Sequence, residues 1–256
     1  MKVKNLLKKI IGYNRVSRKF FLIQNRLNDL NDSLVKSQRL QQELLYANKY
    51  HDTIIGYDWL QYKDLSLGGA TVDYAFCYTL VRALNTMKPS SIIECGLGQS
   101  SKIIHQYADF YKTKAITCEH DFEWGKFFLD EIQNKYPINI EYFELENTII
   151  NGYSTLTYKD FSKRINPLKF DFIIIDGPYG SQNYSRSQVI DIVKNNLADQ
   201  FCIIIDDFER IGEQETWNMV KKTLQERGIE FHDITYSARQ DHALICSKDM
   251  RFLTWL

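Results

Sequence analysis

The sequence predicts an α/β protein with a doubly wound, mostly parallel sheet that follows a helical N-terminal segment. Two apolar runs, 170–175 and 201–205, show almost no alternation with polar residues, which is typical of parallel strands covered on both faces. A third short strand is predicted at 91–95. It leads through Gly96 and Gly98 into a helix that starts at Ser100. Strands that alternate with helices in this way favour a parallel sheet with helices on both sides.

The 256-residue chain divides into an N-terminal extension, residues 1–50, and an α/β domain, residues 51–256. Residues 1–20 hold seven basic residues and no acidic one, and we expect a helix there that Gly12 interrupts. The other residues carry 25 basic and 32 acidic side chains, a net charge of −7. Two interpretations of 1–20 stay open: a segment on an anionic membrane surface, at the inner face of the membrane, or a solvated docking segment.

A second helical pattern covers residues 20–45. Apolar residues follow a 3–4 spacing at Phe20, Ile23, Leu27, Leu30 and Leu34. Polar residues at 37 and 41 then break the register, so about two good heptads are present. The pattern predicts either a homodimer that forms through residues 20–45 or a helix packed on its own domain.

Composition excludes several classes of protein. The acidic main domain argues against a duplex nucleic-acid binder, which normally shows a basic face. The sequence has neither a signal-peptide pattern nor an apolar run of about 18 residues, so we expect no membrane span and a cytoplasmic protein. The five cysteines have no metal-ligand spacing, and we expect them to be buried and reduced.

Apolar periodicity predicts the helices and strands that lie before residue 170. We expect a helix from an N-cap at Thr71 to Met87, a strand at 115–119 and a helix over 122–136. A third strand is predicted at 138–145. Residues 147–169 read as irregular, with a short helical candidate at 159–165.

The remaining elements complete the alternating pattern. The strand at 170–176 ends at Asp176, and a helix follows over 187–196. The strand at 201–205 closes with Asp206 and Asp207. A helix over 213–226 ends before Gly228, a residue type favoured just after a helix. Residues 229–236 and 243–247 read as a terminal hairpin.

The glycine turn at 96–98 predicts a nucleoside site. Glycine allows a close approach of backbone to ligand, and the free N–H groups of Ser100 and Ser101 in the first helical turn face it. Glu94 adds a carboxylate, which suits a ligand with an amino group and a positive charge. Glu119, 21 residues after Gly98, ends the next strand, where a carboxylate accepts hydrogen bonds from ribose hydroxyls. A nicotinamide-binding fold places an acid there too.

The segment Glu94-x-Gly96-x-Gly98-x-Ser100 resembles the first motif of class I S-adenosylmethionine-dependent methyltransferases. Segments ending at Glu119, Asp176 and Asp207 follow in the order and spacing of that family, so the resemblance covers roughly residues 65–250. It implies a seven-stranded sheet with an antiparallel last strand. It also implies that S-adenosylmethionine contacts Glu94, Gly96, Gly98, Ser100, Ser101, Glu119 and Asp176. His120 is either a neighbour of the adenine or a solvent-exposed residue.

The family resemblance also implies how an acceptor is activated. Asp176 in an Asp-Gly-Pro segment followed by Arg186 is similar to O-methyltransferases that act on sugars and related hydroxyls. Neighbouring strands lie about 4.8 Å apart, so Asp176, Asp206 and Asp207 form either a Mg²⁺ site or a set of backbone caps. The antiparallel last strand places Arg239, Asp241 and His242 on the ligand side, where His242 is either a general base or part of a structural turn.

The leading hypothesis is methyl transfer from S-adenosylmethionine to a hydroxyl of a sugar, glycan or small molecule, which gives a role in glycan biosynthesis. Two alternatives belong to other classes. A NAD-dependent oxidoreductase is disfavoured because residue 101 is Ser where the third glycine of that motif belongs. A scaffold without catalysis is disfavoured by the intact residues Glu94, Gly96, Gly98, Glu119 and Asp176.

Overall fold

The computed structural model describes the backbone of residues 2–69, 71–133 and 135–255, and the side chains of these ranges from residue 18 onward. These ranges contain nine strands: β1 Ser91–Cys95, β2 Lys114–Glu119, β3 Ile140–Tyr142, β4 Leu145–Ile150, β5 Tyr153–Tyr158, β6 Phe170–Ile175, β7 Leu197–Ile205, β8 Phe231–Ser237 and β9 Asp241–Ser247. Seven of them form one sheet in the order β3-β2-β1-β6-β7-β9-β8. The two antiparallel pairs of that sheet are β7–β9 and β9–β8, and the other pairs are parallel. The predicted α/β fold with an antiparallel last strand is confirmed.

Helices cover both faces of the sheet. They are α1 Lys2–Ile54, α2 Tyr74–Met87, α3 Gln99–Tyr111, α4 Phe122–Ile132, α5 Phe161–Ile165, α6 Gln188–Asp191 and α7 Ile211–Glu226. A π-helical turn, Ile192–Asn196, extends α6, and a 3₁₀ segment spans Lys248–Trp255. Alternate strand residues point to opposite faces: Ile92 and Ile174 join the core under α2 and α3, while Ile93 and Ile173 join the core under α6 and α7.

Several predicted boundaries are wrong. The helix α2 is capped by the Asp73 side chain, which accepts from Phe76 N, and not by Thr71. The third strand is only three residues long. The region predicted to be irregular contains the β4–β5 hairpin, whose turn at Asn151 and Gly152 has positive φ at both residues. An Asn-Gly turn of this kind is typical of two-residue hairpins, so the local sequence carried the signal.

The N-terminal helix α1 is continuous through Gly12 and through the predicted domain boundary at residue 50. Its C-terminal part contacts the α/β domain, since Arg39 pairs with Asp241 at 2.9 Å and Tyr50 is buried. Every residue from Arg18 to Gln38 is exposed, so this part is not packed on its own domain. The membrane-surface prediction for residues 1–20 lies mostly outside the described side chains.

Within the described residues, no helix combines the length and apolar character needed to cross a membrane. All five cysteines are buried and free.

Candidate active site

A cavity of about 500 Å³ lies at the carboxyl ends of β1, β2 and β6. It brings together six of the predicted site residues: Gly96, Gly98, Glu119, His120, Asp176 and Asp207. Backbone bonds align these strand ends: Gly96 N donates to Cys118 O at 2.9 Å, and Asp176 N donates to Cys95 O at 2.8 Å. A second cavity of about 490 Å³, beside the β4–β5 hairpin, contains none of the predicted site residues.

The two glycines of the turn serve different purposes. Gly96 has φ +100°, and a Cβ there would lie 2.8 Å from the carbonyl of Asp176. Gly96 is therefore required for the close approach of the ends of β1 and β6. Gly98 is extended, and a Cβ on it would meet nothing within 4 Å. Because Gly98 borders the cavity, the space that its missing side chain leaves is available to a ligand.

Glu94 is fully buried and does not border the cavity. Its carboxylate accepts hydrogen bonds from Ser100 Oγ and Ser101 Oγ, both at 2.6 Å, and from Thr117 Oγ1 at 2.7 Å. Burial raises the pKa of Glu94 to about 7, although these hydroxyls oppose the shift. The Glu94 carboxylate and the two serine hydroxyls therefore face one another, and none of these three residues borders the cavity. These groups instead fix the start of α3 to strands β1 and β2.

Glu119 borders the cavity and braces the glycine turn. Its Oε2 accepts from Leu97 N at 2.9 Å, while its Oε1 accepts from His120 N at 2.6 Å and Asp121 N at 2.8 Å. A carboxylate offers about four lone-pair positions, two on each oxygen. One position on Oε2 is thus open, so Glu119 has the capacity to accept a hydrogen bond from a ligand hydroxyl.

Aromatic rings form one wall of the cavity. The His120 ring meets Tyr179 edge-on at 4.3 Å between centroids, and its Nδ1 lies 2.8 Å from Glu119 Oε1. Trp124, which the sequence reading missed, donates from Nε1 to Leu97 O at 2.8 Å. His120 is thus neither fully solvent-exposed nor detached from the site. This wall offers flat apolar surface next to the glycine turn.

Three carboxylates meet at the ends of β6 and β7. Asp176, Asp206 and Asp207 each have a ligand atom within 4.8 Å of the others. The Asp176 side chain is 22% exposed, and burial raises its pKa to about 6, with Arg186 opposing the shift. Burial, reinforced by the neighbouring Asp176 and Asp207, also raises the pKa of Asp206 well above its usual range. The predicted convergence of these three acids is confirmed.

Arg186 lies at the centre of this cluster. Its guanidinium is 4% exposed, with Nη2 at 2.6 Å from Asp207 Oδ2 and 3.2 Å from Asp176 Oδ1. Its Nη1 donates to Asp206 O at 3.0 Å. The sequence pattern places Arg186 after the Asp-Gly-Pro segment but assigns it no role. In the structure it is the group that holds the ends of β6 and β7 together and offsets their charge.

Two more charged residues complete the cluster. Arg210 Nη2 lies 2.8 Å from Asp207 Oδ1, and the buried Glu213 Oε1 lies 3.7 Å from Arg186 Nε. The four carboxylates and two guanidinium groups leave two negative charges uncompensated if every acid is ionised. Protonation of acids with raised pKa values or binding of a cation would neutralise them.

His242 does not border the cavity. It is 1% exposed, its Nε2 lies 2.9 Å from Thr79 Oγ1, and its ring packs against Phe76 and Tyr236. Burial lowers the pKa of His242 to about 3. The structure does not place His242 where a general base would act, because the ring is buried and does not border the cavity.

The other two residues of that turn are also engaged elsewhere. Arg239 donates to the carbonyl oxygens of Gly69 and Thr71, and Asp241 pairs with Arg39 of α1. Arg239 therefore anchors Gly69 and Thr71, Asp241 anchors α1, and neither residue borders the cavity. The turn follows β8, and the long side chain of Arg239 satisfies neighbouring backbone carbonyl groups.

Neither a family model nor a curated protein matches this chain. Among solved structures, it is similar to a methyltransferase from Pyrococcus furiosus, at 15% identity and a TM-score of 0.42, over 81% of this chain and 97% of the other. It is also similar to the S-adenosylhomocysteine-bound methyltransferase PaMTH1 from Podospora anserina, at 11% identity and a TM-score of 0.47, over 80% and 88%. A third is a ribosomal protein L11 methylase from Lactobacillus delbrueckii subsp. bulgaricus, at 14% identity and a TM-score of 0.42, over 73% and 83%.

Proposed function

We infer that this chain, which has the fold of class I S-adenosylmethionine-dependent methyltransferases, transfers a methyl group to a hydroxyl. One observation carries the proposal: the glycine turn, Glu119 and the acidic end of β6 border one cavity of about 500 Å³. Ligands of open parallel sheets bind at this edge, outside the carboxyl ends of the strands. A cavity of this size is typical of cofactor sites.

The residues of the cavity fit S-adenosylmethionine. Gly98 leaves open space beside the start of α3, and the open lone-pair position of Glu119 suits a ribose hydroxyl. The aromatic wall of His120, Tyr179 and Trp124 suits the flat adenine ring. When bound, the cofactor supplies an electrophilic methyl group that an acceptor oxygen takes up.

We assign to Asp176 the role of taking the proton from the acceptor hydroxyl. A hydroxyl has a pKa far above 7, so transfer needs a group that takes its proton. Asp176, partly exposed at the cavity and with a pKa of about 6, is mostly ionised at pH 7 and can accept this proton. Arg186 holds the carboxylate in place at 3.2 Å. We assign Asp207 to orientation, because its oxygens already bind Arg186 and Arg210.

A divalent cation is a second way to activate the hydroxyl. Asp176, Asp206 and Asp207 would hold Mg²⁺, whose charge would offset the two negative charges that remain when every acid of the cluster is ionised. Such an ion lowers the pKa of a bound hydroxyl. In either case we propose acceptors that are sugars, glycans or small molecules with hydroxyl groups, because polar and charged side chains border the acidic end of the cavity. The free, buried cysteines agree with a cytoplasmic location.

Ligand-induced thermal stabilisation tests the cofactor. S-Adenosylhomocysteine at 100 times its dissociation constant would stabilise the fold by about 2.7 kcal/mol. We expect this shift in the wild type, a loss of it in Glu119→Ala, and no loss in Glu123→Ala, an exposed residue of α4 that does not border the cavity. A shift with NAD alone would support the oxidoreductase, and no shift with either ligand would support a scaffold.

Mg²⁺ and the acceptor need separate measurements. A further rise in melting temperature when Mg²⁺ is added, present in the wild type and absent in Asp206→Ala, would support the cation. A wild-type melting temperature that Mg²⁺ does not change would support Asp176 acting alone. Transfer of labelled methyl from S-adenosylmethionine to a panel of sugars, glycans and phenols identifies the acceptor. Incorporation into amines only, with none into hydroxyls, would contradict the proposal.

A further inference from the structure

The exposed part of α1 carries a row of apolar side chains. Five of them, each between 56% and 68% exposed, recur at a 3–4 spacing: Phe20, Ile23, Leu27, Leu30 and Leu34. Every described residue from Arg18 to Gln38 is exposed. The stability of a helix in water comes mostly from packing of its apolar face. This 21-residue stretch therefore needs a partner that its own domain does not provide.

The row faces away from the domain. Three of the α1 residues that contact the domain are Arg39, Glu43 and Tyr50: Arg39 pairs with Asp241, Glu43 accepts from Tyr74 N, and Tyr50 packs on Tyr74. At 3.6 residues per turn, these positions lie on the side of the helix opposite the row. Leu44, 64% exposed, continues the row alongside the domain-bound part of α1. A partner can therefore pack on the row without meeting the domain.

We propose that the row is the interface of an antiparallel homodimer. Spacing at heptad positions a and d is the pattern by which one helix packs on another, and a two-fold axis lets one row serve both copies. With the axis between residues 28 and 29, Leu27 packs on the partner's Leu30, and Ile23 packs on the partner's Leu34. The two helices then overlap along roughly 75 Å.

Charge selects the antiparallel orientation. Residues 1–20 carry seven basic side chains and no acid, whereas residues 21–256 have a net charge of −7. A parallel pair would place two basic segments side by side. The antiparallel pair places each basic segment along residues 37–56 of the partner, next to its acidic domain, where the charges attract.

The overlap is large enough for a stable dimer. A typical stable interface buries about 800 Å² on each partner, and two helices in contact along roughly 75 Å offer that much surface. Leu44 and Leu45, 64% and 47% exposed, fall within the overlap beyond the five-residue row. The antiparallel overlap thus also covers these two leucines, which the two heptads of the row do not include.

Sedimentation equilibrium of the full chain tests the dimer. We expect a concentration-dependent dimer whose dissociation constant rises at least tenfold in Leu27→Ser/Leu30→Ser. A matched control, Asn25→Ser/Asp32→Ser, changes two exposed residues on the other side of α1 and leaves the constant unchanged. Far-ultraviolet circular dichroism and thermal unfolding confirm that the domain is folded in each variant. A wild type that is monomeric at 100 μM would overturn the proposal.

Cross-linking tests the orientation. The native cysteines are buried, so a cysteine added to α1 is the reactive one. A tagged Leu27→Cys protein mixed with an untagged Leu30→Cys protein should give a mixed disulfide in excess of either self-linked species. Predominant self-linking of Leu27→Cys would show a parallel pair and overturn the orientation. If the protein is monomeric and binds anionic phospholipid vesicles, and if Leu27→Ser/Leu30→Ser abolishes that binding, the row binds a membrane surface and not a second copy of the chain.

Discussion

The buried carboxyl group of Glu94 makes a quantitative prediction about pH and stability. Its pKa is raised from 4.5 to about 7 by burial. Because the folded pKa is raised, the folded state binds more protons than the unfolded state between these values. The stabilisation of the folded state that Glu94 contributes is therefore complete below pH 4.5 and is lost as the pH rises through 7.

Replacement of Glu94 by Gln removes this dependence. The amide has nearly the same shape, and the hydroxyls of Ser100, Ser101 and Thr117 can rotate to donate to its oxygen or accept from its nitrogen. With 1.36 kcal/mol for each pKa unit, the shift corresponds to about 3.4 kcal/mol, of which about 2.5 kcal/mol falls between pH 5 and pH 8. Glu94→Gln should gain about that much stability relative to the wild type over this range.

Urea unfolding at pH 5, 6, 7 and 8 measures the gain, with tryptophan fluorescence as the signal. The quantity to compare is the difference between variant and wild type at each pH, because other groups titrate too. Burial lowers the pKa of His105 to about 4 and that of His242 to about 3, so these residues make stability rise with pH through 6.5. Glu123→Gln, on the exposed face of α4, controls for the loss of a charge. A gain below about 1 kcal/mol for Glu94→Gln would refute the reasoning.

Three further predictions concern the cavity and its surroundings. Gly96→Ala should lower the free energy of unfolding by about 2 kcal/mol or more, because Gly96 has a positive φ and an added Cβ would lie 2.8 Å from the Asp176 carbonyl. Gly98→Ala should change the free energy of unfolding by no more than about 0.5 kcal/mol. It should nevertheless weaken S-adenosylhomocysteine binding at least tenfold, as measured by calorimetry. The rate of methyl transfer should rise with pH through about 6 as Asp176 ionises, and should be lost in Asp176→Asn. Arg186→Gln, which removes the charge that lowers the pKa of Asp176, should move this rise to higher pH; an unchanged profile would contradict the assignment. His242→Gln should lower the melting temperature but leave the pH profile unchanged, since the ring is enclosed.

Much of the site was predictable because its signals are local. Apolar runs without alternation identify β6 and β7, and the polarity of parallel strands places Asp176, Asp206 and Asp207 at one edge of the sheet. The glycine turn and Glu119 follow from the same rule. Even the missed β4–β5 hairpin had a local signal in Asn151-Gly152.

Other features depend on which elements become neighbours, and no local pattern specifies that. Glu94 and Glu119 both flank the glycine turn, yet Glu94 points into the start of α3 and Glu119 borders the cavity. Arg186 meets Asp207 only because the 177–187 loop folds back over the ends of β6 and β7.

The sequence by itself determined the order of the strands of the seven-stranded sheet, the edge of that sheet that carries the carboxylates, and the apolar row of α1, because periodicity and strand polarity are properties of short segments. The tertiary structure decided which of the acidic and histidine side chains reach the cavity. It turned His242 inward against Thr79 and Phe76 and placed Arg186 among the carboxylates. The physical reason is that burial and charge pairing depend on packing between residues far apart in the chain, and these interactions set the protonation of each group.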